Sequence, residues 1–375
     1  MSLKTIAHFI NPFLPLTQNW MYHQLLWNTE FRPIVLCRTL ENTQLFPCAD
    51  VYPAFPKNTA AARISMLLSR ARARYPQPFY RSVIAQQKPV LLHGHFSWES
   101  WRNMPLINAT KLPLVTTFYG LDVNKLWQKR VWKKRYRVLF ERGDLFIVEG
   151  HHMANALADI GCPANKIHVV HLGVDIEKIA TLPHKQDCTT IDILFTGLSR
   201  EKKGAPDAAR AFARVAKSRP DIILHCIGNG NYAQQVRDIL EKENVMKQCI
   251  FHGYLSYDAY LSILGKTDIV LAPSVIGIDG DTEGGAPVVV TEAQAAGIPV
   301  AGSTHCDIPE IVVHNTTGLL CEEHDWETLA TNLACLVDDG VLRKNMGNAA
   351  RARAIELFSI QKQVNSLNTL YRSLL

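Results

Sequence analysis

"DIVLAPSVIGIDGDTEGGAPVVVTEAQAAGIPVAG", residues 268–302, decides the fold. It opens with an apolar, β-branched run (268–273), crosses a glycine-rich loop and enters a stretch with helical spacing. Pro287 suits the first helical position, and Gly297 with Pro299 suits a helix stop. A second strand-like run, "GIPVAG" (297–302), follows at once. Two strands joined by a crossover helix run parallel.

The same alternation extends in both directions. Strand-like runs occur at 191–197, 221–228 and 249–253, and earlier at 5–10, 33–37, 89–95, 113–118 and 144–149. Longer stretches with helical spacing lie between them, as at 60–74 and 124–142. Runs that are apolar throughout are what a sheet covered on both faces needs. The pattern restarts after the polar segment "TLPHKQDCTT" (181–190). The expected class is therefore α/β, with two doubly wound, Rossmann-like domains in tandem. The first spans 1–180, the linker 181–190 and the second 191–355, and a terminal helix at 356–375 returns to the first domain. Ligands bind outside the carboxyl ends of such strands, so two domains side by side would face each other across a cleft.

A length of 375 residues fits two domains, and 47% hydrophobic with 20% charged residues describes a globular chain with ample core. No window reaches the ~18 apolar residues of a membrane span. The first residues lack the pattern of a secretory signal. Nine scattered cysteines without a CxxC pair fit reduced thiols in a cytoplasmic protein, not a disulfide frame or a zinc site. Charge is divided unevenly. Residues 1–180 hold 22 Lys and Arg against 11 Asp and Glu, whereas residues 181–375 hold 18 against 23. A basic half implies an anionic partner: nucleic acid, an anionic membrane surface or a phosphorylated substrate.

The loops after the strands carry the candidate chemistry. In "TGLSREKKGAPDAARAF", Gly197 allows a turn, and Arg200, Lys202 and Lys203 crowd a helix start, an anion site or a solvated basic turn. "CIGNGN" has Gly228 and Gly230 but no third glycine at dinucleotide spacing. In the opening stretch, the N–H groups of Gly284, Gly285 and Ala286 suit a diphosphate. Glu283 lies in the loop, and Glu292 lies on the helix about one and a half turns beyond Pro287. In the first half, His93 and His95 end one strand, and Tyr119, Gly120 and Asp122 follow another. No His/Cys/Asp cluster has metal-ligand spacing, and no nucleophile elbow occurs. Two basic stretches, 63–74 and 126–142, read either as solvated helix faces or as surfaces for an anionic bilayer. No RRM, KH or helix-turn-helix signature supports a nucleic acid partner.

Taken together, "KIHVVHLGVDIEKI", "ILFTGLSREKKG", "CIGNGN", "IFHGYLS", "DIVLAPS" and "EGGAPVVVTEAQAAGIPVAGSTHCDIPEIV" resemble the retaining GT-B glycosyltransferases of the "glycosyl transferases group 1" (family 4) class. The match is strongest over 165–320. It is looser before that, resting on "NPFLPLTQNWMYHQL", "HGHF" and "TFYGLD". The resemblance implies a nucleotide-sugar donor, no catalytic metal and no cofactor, and a glycan or lipid-linked acceptor. It makes Glu283, Lys203 and Arg200 catalytic. Donor contacts fall to Glu292 at the ribose, the 284–286 loop, Pro287, Gly197, Gly228 and Gly230. The acceptor side falls to Thr17, Gln18, Asn19, His95, Tyr119, Gly120 and Asp122.

Three departures stand out against the family pattern. Eight residues separate the two glutamates where seven are usual. Leu198 follows the first glycine where arginine is common, and Tyr119 stands where a histidine is usual. Transfer of a sugar with retention, in bacterial surface polysaccharide assembly, is the expected activity. An NDP-sugar epimerase and a catalytically silent NDP-sugar-binding partner remain the alternatives. The expected location is the cytoplasm, peripheral on the inner face of its membrane.

Overall fold

The computed structural model describes residues 3–15, 18–55, 77–183 and 189–375. Thr17, the stretches 60–74 and 63–74, and residues 184–188 of the expected linker lie outside them. The chain forms two compact units, Met1–His171 with Ile360–Leu375, and Leu172–Ser359.

The first unit is a wholly parallel sheet of seven strands. They are β1 (Thr5–Phe9), β2 (Arg32–Cys37), β3 (Val51–Pro53), β4 (Leu91–His95), β5 (Leu114–Thr117), β6 (Leu145–Val148) and β7 (Ile167–Val169). Their order is β3-β2-β1-β4-β5-β6-β7. Strands β3 and β7 escape a sequence reading because three residues are too few to show a period. Phe9, Leu36, Phe118, Tyr136 and Phe146 cover one face. Ile6, Val115 and Ile147 line the other, where the helix Ile360–Arg372 adds Leu367 and Tyr371.

The second unit has six parallel strands: β8 (Ile191–Thr196), β9 (Ile222–Ile227), β10 (Cys249–Gly253), β11 (Ile269–Ala272), β12 (Val300–Ser303) and β13 (Gly318–Cys321). Their order is β10-β9-β8-β11-β12-β13. Phe195, Phe212 and Leu333 pack on one face, and Leu194, Val270, Val300 and Phe358 on the other. Each large apolar side chain taken out of water contributes about 1.5–3 kcal/mol.

One boundary moves. Residues 172–180, expected in the first domain, belong to the second unit, because Val174 and Ile179 are buried in its core. Val174 N–H also donates to Phe358 O at 2.9 Å. In both sheets the strand order reverses at one place, β1/β4 and β8/β11. Outside the carboxyl ends there, a crevice opens that favours ligands.

Candidate active site

Two loops meet at the β8/β11 switch of the second unit. Gly204, at φ 65°, closes the loop after β8, and a Cβ built there would fall 1.7 Å from Pro273 O on the loop after β11. Gly204→Ala should therefore force the loops apart as well as strain the backbone, costing well over the ~1 kcal/mol of an ordinary glycine replacement. The expected result is a clear drop in melting temperature by circular dichroism; an unchanged transition would contradict this contact.

Lys203 and Glu283 pair across these loops. Lys203 Nζ stands 2.9 Å from Glu283 Oε1 and 3.1 Å from Oε2. A Cβ at Gly197 would lie 2.4 Å from Lys203 Cγ, so the glycine leaves the lysine stem its path. Ser274 Oγ donates to Glu283 Oε1 at 3.2 Å. Lys202 Nζ stands 3.9 Å from Oε2 and donates to Thr282 O at 2.7 Å. The Glu283 side chain is only 7% exposed. Burial alone would raise its pKa, but the ammonium groups of Lys203 and Lys202 outweigh that and hold it below the ordinary glutamate value. Glu283 is thus a buried anion in a cationic setting.

His305 fixes the loop behind it. Glu283 N–H donates to His305 Nε2 at 3.1 Å, which places the ring proton on Nδ1, 2.6 Å from Glu323 Oε1. The other oxygen of Glu323 accepts Ile276 N–H at 2.8 Å. Both ends of the 276–283 loop are tied by this pair. Sequence reasoning missed His305, Glu323 and Ser274, although Ser274 and His305 stand two residues past the ends of β11 and β12, where a signal was available. The Arg200 side chain, by contrast, is exposed and makes no hydrogen bond or ion pair among the described residues. Leu198 is buried in the core, which leaves no room for a charge at that position.

Glu292 has a different setting. It lies on the helix Val288–Ala296 and is 4% exposed, so it is no surface residue. The Tyr257 hydroxyl donates to Oε1 at 2.7 Å and the Tyr260 hydroxyl to Oε2 at 2.6 Å. Burial pushes its carboxyl up to about 7, against the pull of the two hydroxyls. Pro287 caps this helix with extended backbone (ψ 136°) and does not occupy its first turn, one residue off the expectation. Gly284 N–H is taken by Thr282 Oγ1 at 3.1 Å, whereas those of Gly285 and Ala286 have no acceptor among the described residues. Gly228 and Gly230 line a neighbouring cavity of about 530 Å³ with Leu198, Asn229, Arg237 and Phe251.

In the first unit the expected acceptor residues lie mostly inside. Gln18 and Asn19 are half-buried at the start of the helix Asn19–Leu26. His95, Tyr119, Gly120 and Asp122 are buried. Standing at a strand end does not reveal whether a side chain turns inward. Asp122 accepts the N–H groups of Ser97 (2.7 Å) and Tyr119 (2.8 Å), and burial raises its pKa to about 7 against those bonds.

Beneath them lies a histidine cluster that sequence spacing could not show. His8 on β1 joins His93 and His95 on β4, with ring nitrogens within 4.8 Å. His95 bonds Tyr119 OH through Nδ1 (2.8 Å) and His8 Nδ1 through Nε2 (3.1 Å). His93 bonds Tyr371 OH and Thr117 Oγ1, each at 2.7 Å. Burial lowers His8 to about 3, so its imidazole is neutral. Both nitrogens of His93 are occupied by hydroxyls that a metal would have to displace. The set is a hydrogen-bonded core network.

Residues 30–178 match Glycosyltransferase Family 4, and residues 183–353 match Glycosyl transferases group 1. The chain is 32% identical over 258 residues to the amylovoran biosynthesis glycosyltransferase AmsK of Erwinia amylovora, covering 67% of this chain and 63% of the relative. It is also 32% identical over 221 residues to WcaL of Escherichia coli (strain K12), assigned as a colanic acid biosynthesis glycosyltransferase, covering 59% and 54%. The matched region thus spans between half and two thirds of these relatives' lengths. Among solved structures, Anabaena Alr3699/HepE in complex with UDP and glucose superposes with a TM-score of 0.77 at 13% identity, covering 99% of this chain and all of that one. At that identity the likeness establishes the two-domain GT-B fold.

Proposed function

The chain belongs to the glycosyl transferases group 1 class (family 4), and from that premise we propose that it transfers a sugar from an NDP-sugar to a hydroxyl of a glycan or lipid-linked glycan. The setting is bacterial surface polysaccharide synthesis, as the names of AmsK and WcaL suggest. The observation that carries the reading is the Lys203–Glu283 pair beside the unpaired N–H groups of Gly285 and Ala286. HepE, crystallised with UDP and glucose, supports the donor class.

Each part has a task in this reading. The diphosphate lies on the helix start and its N–H groups. As the bond from the anomeric carbon to phosphate breaks, Lys203 and Arg200 oppose the charge growing on the leaving oxygen. No metal is required for that. Glu283 orients the sugar hydroxyls. Glu292 accepts the ribose diol, since each of its oxygens keeps a lone pair beyond the one its tyrosine uses. In this reading no enzymic nucleophile takes part: the acceptor oxygen attacks on the face the diphosphate leaves, and its proton passes to the leaving phosphate. Configuration is retained. The test is transfer in the presence of EDTA with the product anomer read by NMR; inversion, or loss of activity on chelation, would refute these points.

The protein would work in the cytoplasm, peripheral on the inner face of the membrane. Among the described residues no helix is long and apolar enough to cross a bilayer. The helix Arg130–Arg142 buries Trp132, Tyr136, Leu139 and Phe140 and leaves Arg130, Lys133, Lys134 and Arg137 exposed with Val131 and Val138. Basic groups near an anionic surface contribute about 1 kcal/mol each. Replacing Lys133, Lys134 and Arg137 with glutamine should release the protein from phosphatidylglycerol vesicles in a flotation assay. Unchanged flotation would remove the membrane from this account.

A further inference from the structure

With His95, Tyr119, Gly120 and Asp122 buried, other side chains face outward at the β1/β4 switch of the first unit. Phe96, directly after β4, has φ 69° and ψ 143°, a backbone region that is essentially glycine's alone. The surroundings hold it there. Phe96 N–H donates to Thr117 O at 2.9 Å, and the next N–H, of Ser97, is taken by buried Asp122 at 2.7 Å. The Ser97 hydroxyl meets Tyr136 OH at 3.0 Å. Strain so firmly maintained calls for a purpose.

Its result is an aromatic stack. The Phe96 and Trp98 rings lie 4.2 Å apart and within 11° of parallel, and both remain half-exposed. Tyr119 meets Phe96 at 4.6 Å, and Trp20, on the helix that follows the β1 loop, meets Tyr119 at 6.1 Å. The Trp20 indole nitrogen is itself buried and has no acceptor among the described residues. Trp98 packs against the core of the unit, whereas Phe96 belongs to none of its hydrophobic clusters.

We propose that Phe96 and Trp98 form a carbohydrate-stacking subsite for a pyranose ring of the acceptor. The apolar C–H face of a pyranose packs on the part of the stack left to solvent. His95, Tyr119 and Asp122 then act as positioning residues beneath the platform. This inference rests on the transferase reading for the identity of its ligand but uses only first-unit residues.

The test titrates the full chain with octyl β-glucoside, octyl β-galactoside and octyl N-acetyl-β-glucosaminide, followed by saturation-transfer NMR, with UDP binding measured separately. The wild type should bind at least one glycoside. Trp98→Ala and Phe96→Ala should each weaken that binding by about tenfold, the scale of one stacking contact. Trp98→Phe should largely restore it, UDP binding should be unchanged in all three, and near-UV circular dichroism should show the first unit folded in each. No glycoside binding by wild type, or binding indifferent to both alanine variants, would overturn the proposal. Glycoside binding without any nucleotide binding would leave the subsite standing and sink the transferase reading.

Discussion

Replacing Lys203 with methionine should lower nucleoside diphosphate release by about 10²–10³-fold, the usual effect of removing one preorganised charge from a developing anion. Methionine keeps most of the apolar stem that runs past Gly197, so the loss isolates the ammonium. Stability should fall too. Glu283 would keep only the more distant Lys202, at 3.9 Å, and the Ser274 hydroxyl. Leaving a buried carboxylate so poorly matched costs about 1–3 kcal/mol. Rate measurements at saturating donor separate this from a binding defect, and a denaturant midpoint reads the stability. A Lys203→Met enzyme with wild-type turnover would remove the lysine from the mechanism.

Glu292→Gln should stabilise the free protein at alkaline pH while abolishing its response to donor. The wild-type carboxyl is raised from 4.5 in the unfolded chain to about 7 when folded. Between those values the folded state holds a proton that the unfolded state has lost, so stability falls as pH rises. The penalty is fully present above about pH 7 and absent below about pH 4.5, and its size is on the order of 3 kcal/mol. Asp122 adds a slope of the same sign, from 3.8 to about 7. Glutamine removes only the first. The variant should therefore melt above wild type at pH 8 and close to it at pH 4.5. Added NDP-sugar should no longer raise its melting temperature, because half of the acceptor pair for the ribose diol is gone. Equal melting curves at pH 8 would show that the carboxylate carries no such penalty.

A carboxylate kept in the interior with only two phenols is costly for the free protein, and such a cost is tolerated where a ligand needs it. Glu283 and Glu292 illustrate how alike two residues look in sequence and how different they are in place. One is neutralised chiefly by Lys203, 80 residues away, and the other is held by tyrosines from the helix Tyr257–Leu264.

Most of the architecture was legible because parallel strands buried on both faces read as unbroken apolar runs, as "DIVLA" and "IDILF" do. The Lys203 loop and the glycine-rich loop were legible for a related reason: loops after such strands are where ligands bind. What could not be read was lateral contact. His8 meets His93 only because β1 pairs with β4, and His305 reaches Glu323 only because β12 lies beside β13. The inward turn of His95 and Tyr119, and the outward strain of Phe96, depend on backbone angles that residue type does not encode. Leu198 was visible as a departure, but its reason, a place in the core, needed the packing.

The measurement that tests the central claim most directly is nucleoside diphosphate release from UDP-, GDP- and ADP-sugars, by wild type and by Lys203→Met and Glu292→Gln. The account predicts slow release from one donor by wild type, accelerated by a glycan acceptor. Lys203→Met should bind that donor without releasing its nucleotide, and Glu292→Gln should fail to bind it. Donor binding with no release by wild type, even with lipid-linked acceptors, would contradict the account in favour of a silent binding partner. Conversion of the sugar without release would contradict it in favour of an epimerase.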